Sequence, residues 1–244
     1  EIVLGIFMIL FGINFNTYFL LLLRKFKEAL TSEETAVYFG VMGVSVVAIS
    51  INILSCFSNT GEAVRSAFFQ VASIITTTGF ATVDFNLWPE FSKHLIVLLM
   101  IIGACAGSTG GGLKISRVII LFKSFIAEIK QILNPKEVVS IRLNGKNVDK
   151  KTLNSTRIYF GAYVILICIF TLIISLDGLD LTTNLTAVLS CFNNIGPGLN
   201  LVGPMENFGL YSDWVKVVLS LAMLTGRLEI FPMFLLFAKS AHDR

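Results

Sequence analysis

Two apolar segments, Glu62 to Ile75 and Leu181 to Asn194, are too short to cross a bilayer, and each runs directly into a polar turn that contains glycine. A helix needs about 20 apolar residues to cross roughly 30 Å of hydrocarbon. The stretches around them meet that requirement: Ile2 to Leu23, Val37 to Phe57, Leu95 to Phe125 with an interruption, Ile158 to Leu176, and Val215 to Ala238. Short segments in that company read as re-entrant half-helices. Backbone that is neither helix nor barrel persists at membrane depth only where protein or a watery cavity surrounds it, so the two turns are candidate pore linings.

The two segments belong to a duplication. At an offset of 117 residues Val71 falls on Val188, Ser73 on Ser190, Gly79 on Gly196 and Phe91 on Phe208, and Gly110 comes within one residue of Gly226. Leu30 to Leu121 and Thr152 to Phe237 therefore read as divergent copies of one unit, each a span, a half-helix, a polar turn and a span. A chain that is 55% hydrophobic and 14% charged, with mean hydropathy +0.79, is consistent with burial in lipid. The opening stretch lacks a basic leader and a small-residue cleavage site, and it reads as a true span.

The net charge of +3 matters less than its placement. Thirteen of the 19 Lys and Arg fall in three patches: Arg24, Lys25 and Lys27; the Lys123 to Arg157 linker; and Lys239 with Arg244. Positive loops mark the cytoplasmic side. The opposite loops carry Glu62, Asp84, Glu90, Asp177, Asp180, Glu206 and Asp213 against Arg65 and Lys93. An acidic mouth concentrates cations, although exposed loops are often acidic for solvation alone. The linker holds Ile126, Ile129, Ile132 and Leu133 at helical spacing, then Asn144-Gly145 inside the run from Val138 to Val148. It predicts an amphipathic cytoplasmic helix and a short hairpin, serving either as a lipid-surface linker or as a docking site. Cys56, Cys105, Cys168 and Cys191 form no CxxC pair and have no His at ligand spacing, so they read as small buried hydrophobes.

In Thr76-Thr77-Thr78-Gly79-Phe80, a glycine in a geometry that a Cβ resists would let successive carbonyls face one axis. A ring of carbonyls can replace the hydration shell of a monovalent cation. The half-helix before the turn points the negative end of its dipole the same way. Asn193-Asn194-Ile195-Gly196-Pro197-Gly198 is the matching turn. Either alone is equally a polar turn capping a helix; two in register point to a pore. Between Leu95 and Phe125 lie five glycines, Gly103, Gly107 and Gly110 to Gly112, and each costs a helix about 1 kcal/mol relative to Ala. They predict a break, with a small-residue packing face as the other reading. Arg227 lies within the last span, where a charge marks a functional site by default or pairs structurally with Glu229, which lies two positions on and points away.

Ser73-Ile-Ile-Thr-Thr-Thr-Gly-Phe80, Gly107-Ser-Thr-Gly-Gly-Gly-Leu-Lys114, Asn193-Asn-Ile-Gly-Pro-Gly198 and Gly226-Arg-Leu-Glu-Ile-Phe-Pro232 resemble the third and fourth repeats of the TrkH/Ktr/HKT superfamily of potassium transporters. Gly12-Ile-Asn-Phe-Asn16 before a long apolar helix is similar to the end of the second repeat in TrkH-type members. The resemblance implies an all-α integral membrane fold of repeated M1, re-entrant pore helix, M2 units in a potassium-channel-like pore. Residues 1–29 would be the final helix of a preceding repeat, 30–125 one pore repeat, 126–152 a cytoplasmic linker and 153–244 a second repeat. The ion-binding filter would comprise Thr76, Thr77, Thr78, Gly79, Asn193, Asn194, Ile195 and Gly196, with K+ at Thr77, Thr78, Asn194 and Ile195. Gly103, Gly107, Ser108, Thr109, Gly110, Gly111 and Gly112 would form an intramembrane gate loop, and Arg227 a pore-facing charge; Lys114 and Arg117 are given no role.

The function implied is potassium uptake across the plasma membrane (a bacterial inner membrane) by a multi-pass, gated ion-translocating subunit. It carries K+ as cargo without a covalent cofactor. The implied partners are a missing N-terminal half with two further pore repeats, a second copy in a homodimer, a cytoplasmic TrkA-like nucleotide-binding regulatory ring and the lipid bilayer, but no nucleic acid. The chain is then a piece of a longer polypeptide or half of a split protein. A potassium symporter coupled to sodium or protons is the competing reading, although the buried spans hold no Asp and His94 and His242 lie at edges. No P-loop and no clustered acid, base or metal set suggests an enzyme.

Overall fold

The computed structural model describes residues 1–27, 31–135, 140–228 and 230. In chain order these form α1 (Ile2–Phe11), α2 (Phe15–Leu22), α3 (Glu33–Ile53), α4 (Thr60–Ile75), α5 (Glu90–Ile102), α6 (Ile115–Leu133), a hairpin of β1 (Arg142–Leu143) and β2 (Lys146–Asn147), α7 (Lys150–Ile174), α8 (Leu181–Phe192) and α9 (Asp213–Arg227). Glu229, the end of the last span with Lys239, His242 and Arg244, and Val138-Val139 of the predicted hairpin lie outside the described residues.

Helices α3 and α7 are long and apolar enough to cross a membrane. Each leaves large hydrophobics bare on its outer face, Val44, Val47 and Ile51 on α3 and Ile165 and Leu172 on α7, which suits contact with lipid chains. The half-helices α4 and α8 behave oppositely. From Phe69 to Ile75 and from Thr186 to Phe192 every residue is buried, so these short apolar segments are sheathed by protein instead of crossing. Each starts on an Asx cap: Asn59 accepts from the Gly61 amide and Asp180 from the Thr183 amide.

Two apolar cores follow the duplication. One gathers α1, α3, α4 and α5, the other α7, α8 and α9. They exchange residues at the turns: Ile195 and Leu199 pack in the first core and Leu113 in the second. The offset of 117 holds through the ends of α4 and α8, then drifts. Phe91 lies in α5, whereas Phe208 lies in a 3-10 turn ahead of α9.

The opening stretch is not the single span expected. Helices α1 and α2 meet at 89° across Gly12-Ile13-Asn14. Glycine weakens the helix there and Asn14 caps the second piece, accepting from the Asn16 amide at 2.9 Å. The freed backbone is claimed from the glycine-rich loop: the Cys105 amide donates to the Gly12 carbonyl and the Phe15 amide to the Gly107 carbonyl, both at 3.1 Å. The predicted linker helix is also no separate element, because α6 runs unbroken from Ile115 to Leu133. The hairpin forms at Asn144-Gly145, with φ of 51° and 74°, the positive-φ pair of a tight hairpin turn. It docks on the start of α3, where the Glu33 amide donates to Asn144 Oδ1 at 2.7 Å and Lys123 pairs with the Glu33 carboxylate.

Candidate functional site

The turns after α4 and α8 have one backbone. Thr76 and Asn193 close the helices with φ near −90° and ψ 0°. Thr77 and Asn194 both adopt φ 54°, a left-handed conformation costly for residues with a Cβ, and Gly79 and Gly196 have φ 80° and 124°. The hydrogen bonds repeat in register. The Thr78 amide donates to the Ser73 carbonyl and the Ile195 amide to the Ser190 carbonyl, each at 2.9 Å.

Among the described residues, no hydrogen bond reaches the carbonyl oxygens of Thr76, Thr77, Thr78, Gly79, Asn193, Asn194, Ile195 or Gly196. Backbone carbonyls are strong acceptors, and these eight lie together in two adjoining turns. The side chains are spent on support. Thr76 Oγ1 donates to the Ala72 carbonyl at 2.7 Å and lies 2.8 Å from Thr78 Oγ1. Buried Asn193 donates through Nδ2 to the Met100 carbonyl at 3.0 Å and accepts from the Tyr163 hydroxyl at 3.2 Å. Asn194 Nδ2 donates to the Met223 carbonyl at 3.1 Å. No group of three or more His, Cys, Asp or Glu able to hold a metal occurs among the described residues.

The glycine-rich loop breaks the helix as predicted, between α5 and α6, and packs against both turns. The Gly111 amide donates to Thr77 Oγ1 at 2.8 Å. A Cβ at Gly111 would collide with the Asn193 carbonyl oxygen, and one at Gly110 would lie 3.2 Å from that of Thr76. The turns also meet each other, for a Cβ at Gly79 would strike the Ile195 carbonyl oxygen. Positive φ and close approach together require glycine at that position. Gly103 and Gly107 flank the loop, Ser108 Oγ donates to the Cys105 carbonyl and Thr109 Oγ1 to the Phe11 carbonyl. Lys114 Nζ donates to the Gly110 carbonyl, and exposed Arg227 donates to the Thr109 carbonyl at 3.1 Å. A cavity of about 170 Å³ beside this contact is lined by the loop, Tyr159, Gly226 and Arg227.

The structure adds Glu34, which sequence reasoning passed over. It is 5% exposed, takes the Ala106 amide on Oε1 at 2.6 Å and Asn14 Nδ2 on Oε2 at 3.3 Å, and so ties the bend of the opening helices to the glycine loop. At the α3 start an acid reads as a match to the helix dipole, which conceals its second task. Outside the helices, the Asp180 carboxyl is held below the usual range by the Thr183 hydroxyl, then by the Thr183 amide and Asn200.

A family model for TrkH, described as a cation transport protein, matches residues 52–243. The Trk system potassium uptake protein TrkH of Escherichia coli K12 is 34% identical over 238 residues, 96% of this chain and 49% of that protein. TrkH of Vibrio parahaemolyticus is 36% identical over 180 residues, 74% of this chain and 37% of that protein. The crystal structure of the potassium transporter TrkH from Vibrio parahaemolyticus matches with a TM-score of 0.89 at 29% identity, covering 97% of this chain and 51% of that one. The chain thus spans about half the length of the curated relatives it matches.

Proposed function

The chain belongs to the TrkH family of cation transport proteins and is a transport protein, not an enzyme; from that premise we propose that it supplies two of four quarters of a potassium pore. The observation that carries this reading is the set of eight carbonyl oxygens, Thr76 to Gly79 and Asn193 to Gly196, without a hydrogen-bond donor among the described residues. A dehydrated potassium ion needs such oxygens in place of water, and Thr77, Thr78, Asn194 and Ile195 are the proposed ligands. Both half-helices end at these turns, so their negative dipole ends add to the attraction.

The loop from Gly103 to Gly112 then acts as the gate, since Gly110 and Gly111 sit against the Thr76 and Asn193 carbonyls at the start of each turn. Arg227 and Lys114 hold it by its own carbonyls. The remaining quarters would come from a polypeptide half outside this chain, in keeping with relatives about twice as long. A second copy and a cytoplasmic nucleotide-binding ring are further proposed partners, and the plasma membrane the proposed location.

Reversal potentials of the complete transporter in mixed potassium and sodium test the filter. Gly79→Ser is expected to lose potassium selectivity, and unchanged selectivity in a folded variant would defeat the reading. Removing Gly110 to Gly112 tests the gate. Basal potassium flux should rise, and flux that stays level or falls in a folded protein counts against it.

A further inference from the structure

Two consecutive acids at the start of α3 bind different parts of the molecule. Glu33 is bound to the hairpin. Its amide donates to Asn144 Oδ1 at 2.7 Å, and the Asn144 amide donates back to Glu33 Oε2 at 3.4 Å. Lys123 of α6 pairs with the Glu33 carboxylate and donates to the Arg142 carbonyl at 2.8 Å, so α6 shares the same contact. Glu34, the next residue, is bound to the glycine loop through the Ala106 amide and to the α1–α2 bend through Asn14 Nδ2. Both acids lie in one helical turn, closed by the Ala36 amide on the Ser32 carbonyl at 3.0 Å, so they shift as a unit.

Successive loop residues are held by different elements. The Ala104 carbonyl accepts from the Ile115 amide of α6, the Cys105 amide donates to Gly12 and the Gly107 carbonyl accepts from Phe15. Those bonds join backbone to backbone, whereas the Ala106 amide is held by a buried carboxylate, a charge-assisted and stronger acceptor. We propose that Glu33 and Glu34 are positioning residues that relay the docking of the hairpin to the glycine loop: with the hairpin seated, Glu34 holds Ala106 in place, and with the hairpin released the segment from Cys105 to Gly107 loosens. The consequence for potassium flux rests on the gate reading above; the relay itself rests on these contacts.

Cys105 is a reporter inside the loop, because its side chain is fully buried beside Ala106. The complete transporter in detergent is treated with N-ethylmaleimide, and labelling of the Cys105 peptide is followed by mass spectrometry, with buried Cys191 on α8 as the internal control. Asn144→Gly keeps the positive-φ turn but deletes the acceptor for the Glu33 amide; combined with Lys123→Gln it should speed Cys105 labelling about threefold. Glu34→Ala should speed it on the order of tenfold, and Lys123→Arg, which keeps the cation, should stay within about twofold of the parent. In a serial relay the hairpin and Glu34 variants together fall short of the product of their separate effects. If Glu34→Ala does not fold, the hairpin pair alone decides. Parent-level labelling in the folded hairpin variant, a parallel rise at Cys191, or combined effects equal to the full product overturns the relay. Faster Cys105 labelling without a rise in basal potassium flux supports the relay and counts against the loop as the gate.

Discussion

The first turn, Thr76 to Gly79, and the second, Asn193 to Gly196, reach one backbone by different routes. The first is held by its own half-helix and by the glycine loop: Thr76 bonds back to α4 and to Thr78, and Thr77 accepts from the Gly111 amide. The second is braced from afar, through Asn193 to Met100 on α5 and Tyr163 on α7, and through Asn194 to Met223 on α9. The glycines differ too. Gly79 faces the Ile195 carbonyl with no room for a Cβ, whereas among the described residues a Cβ at Gly196 would meet only Gly79 Cα at 3.9 Å, although its φ of 124° still disfavours side chains. What the copies share is the turn backbone; the side chains that support it differ.

The largest expected effect breaks this comparison at its tightest point. Gly79→Ser should reduce rubidium uptake by the complete transporter more than tenfold, beyond about 1.4 kcal/mol in barrier terms, and Gly196→Ser should cost distinctly less. Equal losses would show that positive φ, which both glycines share, outweighs the close approach at Gly79. Next comes the distant brace. Asn193→Ala removes the partner of the buried Tyr163 hydroxyl and should destabilise by about 1–3 kcal/mol, read as a lower thermal midpoint in detergent. Thr78→Val removes one hydroxyl contact at a more exposed position and should cost less, about 1 kcal/mol.

Why the turns were legible in sequence and their braces were not follows from range. Thr76 to Gly79 and Asn193 to Gly196 each carry their signal within a few residues, as do the glycine break before Ile115 and the Asn144-Gly145 hairpin turn. The 89° bend at Gly12-Ile13-Asn14 depends on Cys105, Gly107 and Glu34, which the chain brings there only on folding. The linker helix forms, but as the end of α6 and not as a separate element: lysines among Ile126, Ile129 and Leu133 suggest a new surface element, yet nothing between Ile115 and Leu133 stops a helix already begun. Glu34 is not legible in the same way because it lies ahead of the apolar run that starts at Val37.

The smallest effect separates the half-helix caps. Asn59 cannot titrate, whereas Asp180 caps α8 as a carboxylate whose pKa is lowered chiefly by the Thr183 hydroxyl. A depressed carboxyl pKa means the folded state binds its proton less readily than the unfolded chain. Its contribution is therefore present in full above the unfolded value, about 3.9, and is lost as pH falls through the lower folded value. Asp180→Asn keeps a cap but removes that titration, so the thermal midpoint of the variant should fall less than that of the parent below about pH 4. The difference should not exceed about 1 kcal/mol, because the carboxylate is close to solvent. Asn59→Asp should introduce a comparable acid-sensitive term at α4, making the two half-helices alike in pH response. If Asp180→Asn leaves the acid limb unchanged, the Asp180 cap is dispensable and the two half-helices do not differ in how they are held.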